Sequence, residues 1–316
     1  MKDNELLIAV PTLNHPKLVM FYLANILDVA LEHNIDICIY DASSDDRTEQ
    51  IVQKRVLQGY SNLFYKRYPE NTLLEDRCGD IYVNSGHKYV WLCGDGCVLN
   101  LRKSIDIIQN EIAKNKDIIC LDSEVARGVE YKEYTDAVKF CRECFAATTY
   151  FGGVILNTEL VSKELFDYCK KRYLEHAVPA VYYELFKSGK ISATYVRQNF
   201  SEKSVYKKIR VSQKGGRDIY AYAQLFTETI RKLPDIYDPI KKDLEKVLGK
   251  VTGMYSWPYL WVMRVDGNLN LKTYFKYRKY LRIASDTKDW MFILVSICPV
   301  WAAEKITLCE GNFLAK

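Results

Sequence analysis

Apolar and polar residues fall into alternating blocks along the first two hundred positions, and the block lengths predict strands and helices in turn. Residues 6–11 form a short continuous apolar run closed by a proline, and 18–31 then carry apolar residues at helical spacing. The unit repeats, with a strand over 35–40, a polar loop over 41–47 and a helix over 48–57. Further strands are predicted at 62–68, 89–93, 117–122, 150–157 and 190–197, with helices at 162–173 and 178–188. Strands apolar on both faces and interleaved with helices predict an α/β fold with a mostly parallel sheet covered by helices. Ligands of such sheets sit beyond the carboxyl ends of the strands.

After residue 200 the pattern changes. Residues 201–217 are polar, basic and glycine-containing, which predicts a connection over 201–218 between a 1–200 domain and a helical region over 219–316. Helical spacing recurs there at 219–233, 239–251, 269–283 and 290–308.

Charge sharpens this division. The 316 residues carry a net charge of +5. Through residue 200 there are 24 Lys and Arg against 28 Asp and Glu, and beyond it 21 against 12, so the tail is at +9 and the rest at −4. A basic tail invites an anionic partner, a phosphorylated ligand or an anionic membrane face among them. No nucleic-acid-binding module is recognisable, so no nucleic-acid partner is expected. The ten cysteines are scattered and several lie in apolar runs, which fits buried free thiols and a reducing, cytoplasmic setting. Cys141 and Cys144 have half-zinc spacing without a second pair. Phosphate loops of the G-x-G-x-x-G and Walker types are absent. The apolar stretch 290–303 is short for a transmembrane helix and contains Pro299. With the nearby tyrosines and lysines it suits either a membrane interface or packing inside the bundle or against a second copy in a homodimer.

The loops after the predicted strands hold the candidate chemistry. The first, Pro11-Thr12-Leu13-Asn14-His15-Pro16, offers hydroxyl and amide groups, or serves as a plain connector. The second begins with Asp41-Ala42-Ser43, where a carboxylate at a strand end can accept hydrogen bonds from ribose hydroxyls; Ser44, Asp45 and Asp46 also suit a helix N-cap. The loop after the fourth strand reads Gly94-Asp95-Gly96-Cys97, a carboxylate between glycines that permit close backbone approach, or a simple turn.

Pro-Thr-x-Asn after strand one, Asp-x-x-Ser-x-Asp-x-Thr after strand two and Tyr-Val-Trp-Leu-x-Gly-Asp at strand four together resemble the inverting family 2 glycosyltransferases with a GT-A fold, of the bacterial surface-polysaccharide or glycoprotein-glycan type. The segment Tyr150-Phe-Gly-Gly-Val-Ile155 resembles that family's acceptor-side strand, and the resemblance spans about the first 200 residues. It implies that Pro11, Thr12 and Asn14 border the nucleotide, that Asp41 with Ser43 binds the nucleoside, and that Asp76 and Arg77 lie near the base and diphosphate. It places Gly94 and Asp95 at the diphosphate, with Asp95 in the D-x-D motif that holds Mn²⁺ or Mg²⁺. The chain departs from the pattern there, because the expected principal ligand is Gly96 and Cys97 is a soft donor, which puts the metal in doubt. The basic residues Lys203, Lys207, Lys208, Arg210, Lys214 and Arg217 offer another source of positive charge for a leaving diphosphate, or a solvated surface run.

Inverting transfer also needs a general base for the acceptor hydroxyl. The family's acidic pair upstream of a Gly-strand junction is matched here by Glu175-His176 ahead of Gly189, with Glu184 as a second candidate. The resemblance thus implies transfer of a hexose or N-acetylhexosamine from a UDP-sugar to a lipid-linked or protein-linked glycan, at the cytoplasmic membrane face. A GT-A-fold subunit that has lost metal and base, acting as a scaffold of glycan assembly, is the alternative. On this reading Asp41→Ala is expected to abolish nucleotide binding and leave the fold intact.

Overall fold

In a computed structural model of the chain, residues 4–70, 72–122, 131–173, 176–197, 201–202, 219–265, 267 and 269–311 are described. The chain divides into two compact units, 1–210 and 211–316.

The first unit is built on an eight-stranded mixed sheet in the order β3-β2-β1-β4-β8-β6-β9-β7. Its strands are β1 (Leu6–Thr12), β2 (Asp36–Asp41), β3 (Leu63–Arg67), β4 (Tyr89–Leu92), β6 (Ile118–Asp122), β7 (Tyr131–Asp136), β8 (Val154–Asn157) and β9 (Lys190–Arg197). A short β5 (Val98–Leu99) pairs separately with β10 (Ser201–Glu202). Strands β3, β2, β1 and β4 run parallel, as the helix-interleaved pattern predicts. The sheet is not parallel throughout, because β8 lies antiparallel between β4 and β6 and β7 lies antiparallel at the edge beside β9. Apolar runs report burial on both faces, and that does not fix strand direction.

All seven residues of β1 and all six of β2 are buried, since helices cover both faces of the sheet there. Helix α1 (Pro16–Glu32) begins on a proline and lays Leu18, Tyr22, Leu23, Ile26 and Ala30 on the sheet at helical spacing. Helices α2 (Arg47–Leu57), α3 (Leu74–Asn84), α4 (Leu101–Ala113), α5 (Ala137–Thr148), α6 (Lys163–Tyr173) and α7 (Ala177–Leu185) complete the covering. The core joins Ile8, Val10, Ile37, Ile39, Trp91, Ile119 and Ile155 from five strands. Trp91 is fully buried and still satisfied, its indole N–H donating to the Gly152 carbonyl at 3.0 Å.

The chain leaves β1 in one direction toward β2 and β3, and β4 lies on the other side of β1. That reversal opens a crevice beyond the carboxyl ends of β1 and β4.

The second unit is helical: α8 (Ile219–Lys232), α9 (Asp238–Thr252), α10 (Trp257–Val265), α11 (Leu271–Ala284), α12 (Asp289–Ile297) and α13 (Val300–Gly311). Its core is aromatic, with the Phe292 ring stacked on Tyr274 and edge-on to Tyr220. The single helix expected over 290–308 is two, α12 and α13, bent by 114° at Cys298-Pro299, because proline cannot continue the hydrogen-bond ladder. No single described helix is long and apolar enough to cross a membrane.

Candidate functional site

The crevice encloses about 350 Å³, at the low end of small-ligand sites. Pro11, Thr12 and His15 from the loop after β1, Asp95 from the loop after β4, and Arg77 from α3 line it, with Leu73 and Leu74 as an apolar wall.

Asp95 is 8% exposed, and its Oδ2 atom is the centre of the site. The Thr12 hydroxyl donates to it at 2.8 Å, and His15 Nδ1 lies 3.0 Å from the same oxygen. This hydrogen bond raises the His15 pKa above its usual value against the opposing effect of partial burial. The imidazole is about one-third exposed, so the ring reaches the crevice while its Nδ1 edge is tied to Asp95.

Arg77 is 3% exposed, and burial lowers its pKa. One terminal nitrogen donates to the carbonyls of Thr12 at 2.5 Å and Tyr40 at 3.1 Å, clamping β1 to β2. Its Nε–H is buried with no hydrogen-bond partner, and no carboxylate pairs with the guanidinium among the described residues. Asp41 and Asp95 act on the guanidinium only at longer range, and a buried N–H left without an acceptor is costly, so Arg77 can take up further negative charge.

The other predicted residues are arranged around this centre. Asn14 sits in the left-handed region at φ 58, which asparagine tolerates. Its backbone N–H donates to Ser43 Oγ at 2.7 Å, and its side-chain carbonyl accepts from the Ser44 N–H at 3.1 Å, joining the loops after β1 and β2. Asp41 has no exposed surface: Oδ1 accepts from the Ser43 N–H at 2.9 Å and from the Ser43 hydroxyl, and Oδ2 accepts from the Tyr65 hydroxyl at 2.9 Å. Asp41 and Ser43 therefore shape the loop beside Thr12 and do not line the crevice. Gly94 lies next to Asp95, where a Cβ would stand 3.6 Å from the Cys97 sulfur.

Asp76 and Arg77 are neighbours on α3 and face different ways, as successive helical residues must. Asp76 pairs with Lys170 and lines a separate depression of about 240 Å³ with Asp80, Phe166 and Asp167.

Of the expected catalytic residues that are described, Asp95 lines the crevice and His176 does not. His176 precedes α7 at its N-cap, is 7% exposed, and burial pushes its pKa down to about 4. Glu184 on α7 is buried, with the Tyr173 hydroxyl donating to it at 2.5 Å. Glu175 lies outside the described residues, as do Lys203, Lys207, Lys208, Arg210, Lys214 and Arg217. His15 and Leu73 are crevice residues the sequence reading passes over; the signal for His15 is its place in the loop of Thr12 and Asn14.

Cys97 points away from a ligand role. Its thiol donates to the Phe151 carbonyl at 3.5 Å, and burial raises its pKa, keeping the sulfur protonated. Among the described residues no cluster of three His, Cys, Asp or Glu side chains is placed to hold a metal ion.

No protein-family model matches the sequence. No curated protein matches it either. Solved structures do. The mannosyltransferase PcManGT from Pyrobaculum calidifontis, in complex with GDP-Man and Mn²⁺, aligns with a TM-score of 0.54 at 13% identity, over 96% of this chain and 87% of that one. S. aureus TarS 1-349 in complex with UDP-GlcNAc aligns with a TM-score of 0.53 at 12% identity, over 97% and 89%. The architecture is that of GT-A-like glycosyltransferases.

Proposed function

We propose that the chain is a glycosyltransferase that takes its sugar from a nucleotide-sugar donor bound in the crevice between β1 and β4. The observation that carries this reading is Arg77, a buried guanidinium with an unpartnered Nε–H and no ion-paired carboxylate among the described residues, on the wall of a crevice at the reversal point of a GT-A-like sheet. A diphosphate offers that guanidinium an anionic partner. The bound sugar nucleotides of the two similar structures, GDP-Man and UDP-GlcNAc, lend support.

In the proposed mechanism the leaving nucleoside diphosphate gains charge as the glycosidic C–O bond breaks. Arg77 stabilises that charge in place, with no reorganisation at the moment of reaction. The acceptor hydroxyl attacks the anomeric carbon from the opposite face, with inversion, and gives its proton to a base. A UDP-hexose or UDP-N-acetylhexosamine is the proposed donor and a lipid-linked glycan the proposed acceptor.

The acceptor proposal draws on the second unit. Trp290, Leu294 and Ile297, one face of α12, are exposed together with Val300 and Trp301 at the start of α13. Lys288 is exposed beside Trp290, and the Lys305 amine lies 5.5 Å from the Trp301 ring centre. Exposed tryptophans flanked by lysines suit an anionic membrane surface, where a lipid-linked glycan is presented.

The test is incubation of the purified chain with UDP- and GDP-sugars, measuring nucleoside diphosphate release with and without glycan acceptors. Turnover that falls by about a hundredfold in Arg77→Ala supports the reading, in line with the loss of one donor to developing charge. Binding of nucleotide-sugars without any turnover or hydrolysis would favour the scaffold instead, a reading to which the altered Gly96-Cys97 positions lend weight.

A further inference from the structure

Taking the proposed nucleotide-sugar site as given, we infer that it holds the donor diphosphate without a divalent cation, and that Asp95 is the latch of the first loop in place of a metal ligand. A metal at this position of the fold needs oxygen donors that are open to it. The Oδ2 atom of Asp95 is engaged by the Thr12 hydroxyl at 2.8 Å and by His15 Nδ1 at 3.0 Å. The next residue, Gly96, has no side chain to offer. Cys97 has turned its thiol to the Phe151 carbonyl, between the backbones of Gly94 and Gly152. Mg²⁺ and Mn²⁺ are poorly matched by a soft sulfur directed at a backbone carbonyl and a carboxylate oxygen already taken by two protein groups.

The charge balance agrees with the donor set. A metal-dependent crevice collects carboxylates to hold its cation, and the cation then meets the phosphates. Among the described residues the crevice has one carboxylate, Asp95, and sets against it the buried guanidinium of Arg77, whose Nε–H is unpaired. Arg77 thus supplies, as a fixed side chain, the positive charge a metal would bring. Asp95 in turn fixes Thr12 and His15, so the first loop is already in place when the ligand arrives.

Isothermal titration of the full chain with UDP and GDP, once in excess EDTA and once in saturating Mn²⁺, tests this. The expected result is binding of at least one nucleotide with a Kd that differs less than about threefold between the two conditions, under 1 kcal/mol of metal assistance. Asp95→Ala and His15→Ala are each expected to weaken that binding by about tenfold or more, equally in EDTA and in Mn²⁺, because a loop contact is lost and no metal is. Thermal melts of both variants confirm that they are folded; if Asp95→Ala is not, His15→Ala carries the comparison. Binding that appears, or tightens more than about tenfold, only with Mn²⁺ overturns the inference and leaves the glycosyltransferase reading standing. Absence of binding in both conditions sinks that reading and this inference together.

Discussion

Asp41 illustrates how burial changes the meaning of a residue that looks like a ligand. At the end of β2, with three hydrogen bonds and no exposed surface, it holds the β2 loop against β3 before any nucleotide is present. Asp41→Ala would leave the Ser43 N–H and hydroxyl and the Tyr65 hydroxyl without their acceptor. The variant is expected to lose about 2–4 kcal/mol of stability in urea titrations, with Tyr65→Phe losing about 1 kcal/mol. Loss of nucleotide binding in Asp41→Ala is then no evidence of direct contact, and the expectation that its fold stays intact is revised. His176 makes a second prediction at this scale. Its folded pKa is about 4 against an ordinary value of 6.5, so the unfolded chain binds its proton more readily. The neutral ring's contribution is fully present above pH 6.5 and is lost as the pH falls toward 4, amounting to about 3 kcal/mol at the acid end. Urea midpoints measured from pH 7 to pH 4 should fall more steeply in the wild type than in His176→Gln. Equal slopes would show that this imidazole titrates normally.

At the scale of elements, strands β1 to β4 and helices α1 and α2 are legible from the alternation of apolar runs, polar loops and helical spacing. The 190–197 strand is found at its predicted bounds. Elements without such a pattern are not legible: β7 buries only Tyr134 of its six residues, being an edge strand, and no element is predicted over the residues of α3. For the same reason Asp76 and Arg77 look like a pair in sequence, although the turn of α3 sends them to different depressions. Close approach between elements is also invisible in a single sequence. Gly153, at the entry to β8, is packed so tightly against the end of α5 that an added Cβ would stand 1.9 Å from the Ala147 carbonyl oxygen. Gly86 has φ 74 and open space around it. Gly153→Ala is expected to cost about 3 kcal/mol because backbone must move, and Gly86→Ala about 1 kcal/mol from its left-handed conformation alone. Thermal denaturation of the two variants ranks them, and a Gly86→Ala variant less stable than Gly153→Ala would contradict the close packing at β8.

At the scale of the whole molecule, an α/β unit is joined in one chain to a basic helical unit with an exposed apolar face. The sequence foretells the basic excess and the shortness of the apolar stretch, and the bend of 114° at Pro299 divides that stretch between two helices. Two short helices meeting at a corner leave Trp290, Leu294, Ile297, Val300 and Trp301 uncovered, while Phe292 and Val295 on the other side of α12 are buried in the aromatic core. On the membrane proposal, a corner of this kind would enter the headgroup region of a bilayer without crossing it. Phosphatidylglycerol vesicles should therefore bind the full chain and shift its tryptophan emission to the blue. Phosphatidylcholine vesicles should bind it less, because the lysines then meet no net charge. Trp290→Ser combined with Ile297→Ser removes the apolar part and should abolish binding at any salt. Raising the salt from about 0.1 M to 1 M should weaken the wild type by shortening the screening length from about 10 Å to 3 Å. A second copy of the chain would cover the same face in a different way. Sedimentation would then show a dimer that the double variant dissociates, with no affinity for either vesicle, and the membrane proposal for the acceptor would fall.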